Sequence, residues 1–299
     1  MPNPISWYLH WGPQWTRSGG VLFNHFAELI VPFFYFLPQP FAGIAGLITI
    51  AFQFTIIISG NLSWLNWLTL FLAFSTLDGK FLSVVIPFRT PFMHTPSLVF
   101  QWINYGLAAL VVVMSIPVLI NMLSARQIMN TSFNSLHLVG TYGAFGSITR
   151  PRYEVVVEGT DDAVITSSTK WREYEFKGKP GEVTFPPPQI APYHLRLDWL
   201  MWFAAMSSYQ DYPWFVNLTA KLLEGDADVL SLLRKNPFPH QPPRYVRALQ
   251  YEYHFTTPEE KKQTGAWWKR TLVGSYFPTV SLQTPAFRQV LKSQGWLTQ

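Results

Sequence analysis

The sequence has no cysteine, which removes disulfides, thiol nucleophiles and thiolate metal sites from consideration at once. Charge is also scarce: Asp, Glu, Lys and Arg make up 13% of the 299 residues, against roughly a quarter in ordinary soluble proteins. The net charge of +5 forms no block. Its densest basic pairs, Lys261–Lys262 and Lys269–Arg270, read as solvated loop or strand ends, so nucleic acid is not an expected partner. The start, MPNPISWYLHWGPQW, lacks the basic region and short apolar core of a signal peptide. Its Pro and Trp content suits a loop or an interfacial segment at a membrane surface. There is no HExxH, GxxxxGK[ST], GxSxG or GxGxxG, no internal repeat and no low-complexity tract. The seven histidines are scattered, none pairs at helical metal-ligand spacing, and no cofactor is expected.

What is present is aromatic and apolar residues, unevenly spread. Residues 1–120 carry only Arg17, Glu28, Asp78, Lys80 and Arg89, while nearly all other charge follows Ser124. Four apolar segments stand out there: Val21–Leu37, Phe41–Ser59, Trp64–Leu77 and Leu98–Ile120. A helix needs about 20 residues to span the hydrocarbon core. Phe41–Ser59 and Leu98–Ile120 meet that length without a charge, Val21–Leu37 is slightly short, and Trp64–Leu77 is short enough to enter only partway. Short links such as PQP at 38–40 and GNLS at 60–63 make neighbouring helices antiparallel. Lys80 and Arg89 argue for a cytoplasmic loop there and an external or luminal C-terminal half. Arg17 and Arg126 argue the reverse, so charge leaves orientation open.

After Ile120 the pattern turns to strands and amphipathic helices. RYEVVVEG (152–159) alternates Tyr153, Val155 and Val157, WREYEFK (171–177) sets Tyr174 beside Phe176, and RYVRALQYEYHF (244–255) runs at period two. AWWKRTLVGSYF (266–277) is a fourth strand candidate. Helices are expected at Leu195–Ser207, Trp214–Glu224 and Asp226–Arg234, with Asp226 as N-cap. FPPPQIAP (185–192) is a stiff loop, because consecutive prolines cannot donate to a ladder. The expected architecture is a membrane helical bundle over residues 1–120 followed by a water-facing α+β domain, with a mainly antiparallel sheet, over residues 121–299.

Two groups of polar residues invite a chemical reading. Asn24, His25 and Glu28 lie in an apolar segment, with Asn104 of the last span as a candidate partner, and ionisable groups at membrane depth are costly enough to suggest function. The bland alternative places them near the membrane surface or in a hydrogen bond between helices. In PYHLRLDWLMWFAA (192–205), His194, Arg196 and Asp198 precede Trp199 and Trp202. His194 and Asp198, at i,i+4, could form a general base and its orienting partner, but no nucleophile accompanies them. A structural pair fixing a helix start is the preferred reading. The apolar run from Trp199 to Met206 is too short to span. GTYGAFGS (140–147) has a phosphate-cradle reading, but positive-φ turns suit its glycines better.

The chain resembles the lipase maturation factor family of multi-pass membrane proteins. The resemblance rests on MPNPISWYLHWGPQW, NHFAELIVPFF, SGNLSWLNWLT, MNTSFNSLHLVGTYGAFGSITR, EVVVEGT, YEFKGKPGE, PYHLRLDWLMWFAA, LLRKNPF and WWKR…GSYFP, in family order up to the GW at 295–296. It implies further membrane helices upstream of Pro2, so the chain starts inside the family's membrane region, as a fragment, a short isoform or a late start. It implies a role in helping secreted lipases fold, assemble and leave the endoplasmic reticulum, as animal members do, with residues 121–299 as the luminal domain. The family supplies no catalytic set to carry over. Animal relatives have cysteines where this chain has Gly178 and Pro188, and the joint absence fits a lost disulfide. A bacterial homologue in the cell membrane fits this as well as a protein of the endoplasmic reticulum. The sequons at Asn61, Asn130 and Asn217 matter only in a secretory compartment.

Two functions follow as expectations. The first is a maturation factor, not an enzyme, anchored in the lipid bilayer and holding a secreted hydrolase or lipase client by non-covalent contact. Its candidate contact or structural residues are Tyr142, Phe145, His194, Arg196, Asp198, Trp199, Trp202, Trp267 and Trp268, with Tyr276 beside them. The second is a membrane-embedded enzyme or lipid-handling protein centred on His25 and Glu28.

Overall fold

Gly12-Pro13, Pro32 and Pro38-Gln39-Pro40 cut the apolar amino-terminal region into short helices, because proline lacks the N–H that a helix interior needs. The computed structural model describes the chain except residues 63, 86–94, 144–149 and 297–299. It begins with α1 (Ser6–Trp11) and α2 (Gln14–His25), continues through a π-helical turn (Phe26–Ile30), and reaches α3 (Val31–Phe34). Then follow α4 (Phe41–Ser59), α5 (Leu65–Phe74), α6 (Gly79–Val85) and α7 (Leu98–Met122). Among the described residues two helices, α4 and α7, are long and apolar enough to cross a membrane, each with mean hydropathy 2.2. The segment expected over Val21–Leu37 is instead three consecutive helical pieces, and that over Trp64–Leu77 contains the ten-residue α5.

The chain divides into two compact units, residues 1–82 with 151–299, and residues 83–150. Packing therefore groups the chain differently from a division at residue 120. In the first unit α4 and α5 lie close at Gly46, where an added Cβ would stand 3.0 Å from the Ala73 carbonyl oxygen and collide with Thr76. Small residues at such crossings let helix backbones approach where lipid supplies no hydrophobic drive. Polar bonds join the same pair: Asn66 Nδ2 donates to Gln53 Oε1 at 2.9 Å. In the second unit α7 is exposed along its apolar window. Beyond it the Asn121 side chain holds Ile128, and Asn130 holds Gly143, each by two bonds.

The carboxy-terminal part of the first unit carries β1 (Arg152–Thr160), β2 (Arg172–Glu173), β3 (Glu175–Phe176), α8 (Arg196–Ala204), a 3-10 turn (Tyr209–Asp211) and α9 (Pro213–Glu224). It continues with α10 (Ala227–Ser231), β4 (Leu233–Lys235), β5 (Tyr245–Phe255), α11 (Pro258–Thr264), β6 (Trp268–Val280) and α12 (Pro285–Ser293). The main sheet is antiparallel in the order β2-β1-β5-β6, and β3 pairs with β4. This is the expected α+β domain after apolar helices.

Two local expectations are corrected. WREYEFK is two short strands in different sheets: Arg172–Glu173 pairs with β1, where the Tyr174 amide still bonds Val157 O at 2.9 Å, and Glu175–Phe176 turns to β4. The helix from Asp226 stops at Ser231, and Leu233–Lys235 pairs with β3. Asp226 is nonetheless its N-cap, accepting from the Val229 amide at 3.1 Å. α11 and α12 were not foreseen.

The strand EVVVEGT is buried throughout, which explains its run of valines: a strand covered on both faces does not alternate. Val155, Val157, Val246, Ala248 and Phe277 join Met201, Phe215, Leu222 and Leu291 of the helices in the main core. On the opposite face Val156, Tyr253 and Trp268 form a second cluster with Val183 and Trp267. The amino-terminal segment reaches this side. Trp7 and Trp11 each donate Nε1–H to the Thr256 carbonyl at 2.8 and 3.0 Å.

Asn61, just past α4, is buried and fully engaged. Its Nδ2 donates to Pro2 O and Pro188 O at 2.8 and 2.7 Å, and its Oδ1 accepts from the Ile190 and Ala191 amides at 2.8 and 3.1 Å. The end of the membrane-length helix is thus fastened to the proline loop of the domain.

Candidate functional site

Three short elements converge at the far end of β6. Ser208 and Asp211 form a capping box that fixes the 3-10 turn, Pro213 opens α9, and Pro285 opens α12. Proline suits the first helical position, where its missing N–H has no partner to lose. Phe277 of β6 makes the floor, edge-on to Tyr209 at 4.9 Å and to Phe287 at 6.3 Å between ring centroids. Between them lies an open groove of about 540 Å³, with Val216, Val280, Val290 and Trp296 on its walls. Among the described residues no charged side chain lines it; its polar members are hydroxyls and the amides of Gln210 and Gln294. Apolar walls with few polar groups suit the uptake of apolar side chains.

The other face of the sheet is charged, and its charges are matched. Arg270 holds Glu173 by two bonds of 2.9 and 2.5 Å and donates to the Tyr253 hydroxyl at 3.1 Å. The Glu173 carboxylate holds Arg270 firmly protonated. Arg247 Nε meets Glu158 at 2.8 Å. Burial raises the Glu158 carboxyl, and the Arg247 bond pulls it partly back. Glu154 is fully buried between Arg152 at 2.7 Å and Lys179 at 3.4 Å. Each carboxylate has its own cation, as in a structural ladder. Among the described residues no group of three or more His, Asp or Glu could hold a metal ion.

PYHLRLDWLMWFAA divides its residues between separate tasks. The His194–Asp198 pair does not form, because α8 begins at Arg196 and His194 lies outside its register. Asp198 is buried and accepts from the Gly178 and Lys179 amides at 2.6 and 3.0 Å. Burial pushes its carboxyl above the usual range, against the pull of those two amides. His194 stacks on Trp199 with centroids 5.7 Å apart, and Trp199 meets Trp202 at 5.4 Å. Both tryptophans are half-buried and Arg196 is exposed.

Trp268 is buried, stacked on Phe255 at 4.2 Å, and Tyr276 is buried with its hydroxyl on Ala204 O at 2.9 Å. These two are core residues. Trp267 lies under the Lys261 ammonium, 2.9 Å from its ring centroid, with Trp7 on the same cation at 4.0 Å. Tyr142 is 70% exposed, and Phe145 falls outside the described residues. Gly178 and Pro188 line one small crevice.

His25 and Glu28 are both exposed. The π-helical turn starting at Phe26 takes Glu28 out of simple helical register with His25, and the carboxylate meets Asn24 Nδ2 at 3.4 Å instead. Asn104 is exposed on α7, in the other compact unit. Sequence reasoning passed over the groove. A signal was available in TPAFRQVLKSQGW, where Pro285 marks a helix start and Phe287, Val290 and Leu291 share a stripe.

Two helices of membrane-spanning length and apolarity, followed by an antiparallel α+β domain with an apolar groove, give the architecture of a membrane protein with an attached α+β domain. Comparison with known proteins then gives the family. The lipase maturation factor transmembrane domain matches residues 1–84, and the lipase maturation factor C-terminal domain matches residues 138–278. Lipase maturation factor 1 of Homo sapiens is 43% identical over 99% of this chain and 56% of its own length. That of Mus musculus is 42% identical over 99% and 55%. Lipase maturation factor 2 of Homo sapiens is 42% identical over 54% of this chain and 22% of its own. The chain belongs to the lipase maturation factor family. It spans about half the length of the factor 1 relatives it matches. No solved structure matches it significantly.

Proposed function

We propose that this chain is the membrane-anchored, client-holding part of a maturation factor for secreted hydrolases, with lipases as the client class. It acts by non-covalent contact and without a catalytic residue set. The observation that carries this reading is the groove between β6, the 3-10 turn and α12: open, about 540 Å³, apolar and uncharged. A partly folded client exposes apolar side chains, and such a surface shelters them without demanding one sequence. The printed name of the relatives, lipase maturation factor, supports the client class. The fastening of α4 to the domain through Asn61 supports holding the client beside the bilayer. The membrane is that of the endoplasmic reticulum in a eukaryotic source and the cell membrane in a bacterial one, with several crossings.

The test uses the full chain in lipid nanodiscs and a secreted lipase unfolded in denaturant, then diluted. The expected result is a higher yield of active lipase with the chain present than with empty nanodiscs. Equal yields would overturn the proposal.

A further inference from the structure

The outer strand of the sheet has an open side. β6 pairs with β5 along one edge of its backbone and ends the strand order on the other. Its beginning is covered, because the Trp267 and Trp268 amides both donate to Val183 O at 2.9 and 3.1 Å. Beyond that, among the described residues, the backbone of 269–280 makes no hydrogen bond outside its pairing with β5 except the one from the Ser275 hydroxyl to Phe277 O at 3.5 Å. A long open edge invites pairing with another chain, and proteins normally blunt it with charge, proline or bulges.

Here the blunting is confined to the ends and to curvature. Lys269 is tied to Glu260 at 3.0 Å and Arg270 to Glu173. Pro278 removes a donor at the far end. Irregular pairing with β5 bends the strand around Gly274. From Thr271 to Phe287 there is no Asp, Glu, Lys, Arg or His. Leu272 and Val273, at the irregular step of that pairing, are 56% and 53% exposed. The strand then runs directly into the groove, which its own Phe277 and Val280 line.

We infer that the window Thr271–Phe277 accepts an extended apolar segment of the client as a fifth strand, with the segment's terminal side chains entering the groove. This rests on the client-holding reading and specifies how the client is gripped. Open backbone donors and acceptors select an extended partner, since a helix has already used its own. Electrostatics select an uncharged one. The edge offers no charge, and the two cations at its start are already paired, so an acidic segment gains nothing there. Backbone pairing also explains how one surface serves different sequences: the hydrogen bonds are common to every chain, and the groove adds a preference for apolar side chains.

The probe is a short fluorescent peptide of alternating threonine and valine, titrated against the full chain in nanodiscs. Saturable binding is expected, lost when alternate peptide nitrogens are methylated, a change that leaves the protein untouched. Replacing Leu272→Lys together with Val273→Lys should weaken binding about tenfold or more, equivalent to about 1.4 kcal/mol, at an unchanged unfolding midpoint. Undiminished affinity for the methylated peptide would overturn the inference, and so would dimerisation of the chain through β6 without peptide binding. Denatured lipase separates the two levels. If it binds wild type and the double variant equally, the edge assignment falls while client holding stands. If it does not bind wild type, client holding itself falls.

Discussion

One face of the sheet is covered by α8, α9 and α12, and the other by the 177–190 loop and the ring of Trp267, with Trp7 of the first helix against it. The first face is aliphatic and aromatic, built around Phe215 and Met201. The second is held by matched charges, by the Asp198 turn, and by indole N–H bonds from residues that precede the first long apolar helix. The contrast teaches that the two faces are closed by different parts of the chain. The inner face is closed by helices of the carboxy-terminal part itself, whereas the outer face is completed by α1 and by the loop that Asn61 holds.

The largest effect belongs to the helix-covered face. Phe215→Ala opens a cavity among Tyr276, Phe277 and Trp214 and should cost about 3–5 kcal/mol in denaturant unfolding. A loss under 1 kcal/mol would mean this face is loosely packed.

Asp198→Ala comes next. It leaves the Gly178 and Lys179 amides buried without an acceptor, at about 2–3 kcal/mol. Asp198→Asn keeps an acceptor oxygen and removes the charge, which gives a pH signature. The folded-state pKa of Asp198 is raised above its unfolded value, so wild type loses stability from this group as pH rises through the range just above ordinary carboxylate values. The asparagine variant lacks that loss, and its stability relative to wild type should therefore improve as pH rises. A gap independent of pH would refute the assignment.

The smallest effect is at the membrane junction. Asn61→Ala should cost about 1–2 kcal/mol and be read locally, as faster hydrogen exchange at the Ile190 and Ala191 amides. Unchanged exchange there would mean that the proline loop holds itself.

Much of the fold was legible, for reasons that differ by region. The valine run of β1 and the period of β5 are strong local signals, as are the charge-free stretches of α4 and α7. What was missed depends on contacts distant in sequence. Asn61 reads as a sequon until Pro188 and Ile190 are seen around it. His194 and Asp198 read as a pair until the helix start falls between them and the acid turns to residues twenty positions back. The groove has no reactive residue to announce it, and it exists only once β6, the 3-10 turn and α12 are brought together. The tryptophans drew attention by size, yet Trp268 is core and Trp267 is occupied by Lys261.

The most direct test of the account places a photo-crosslinking amino acid at Val290, on the groove wall and 43% exposed, in the full chain in its own membrane. A secreted lipase is then synthesised in its presence. The account predicts a crosslink to the newly made lipase that fades as the enzyme gains activity. A crosslink absent at every stage, or one of equal strength to the mature active lipase, would contradict it.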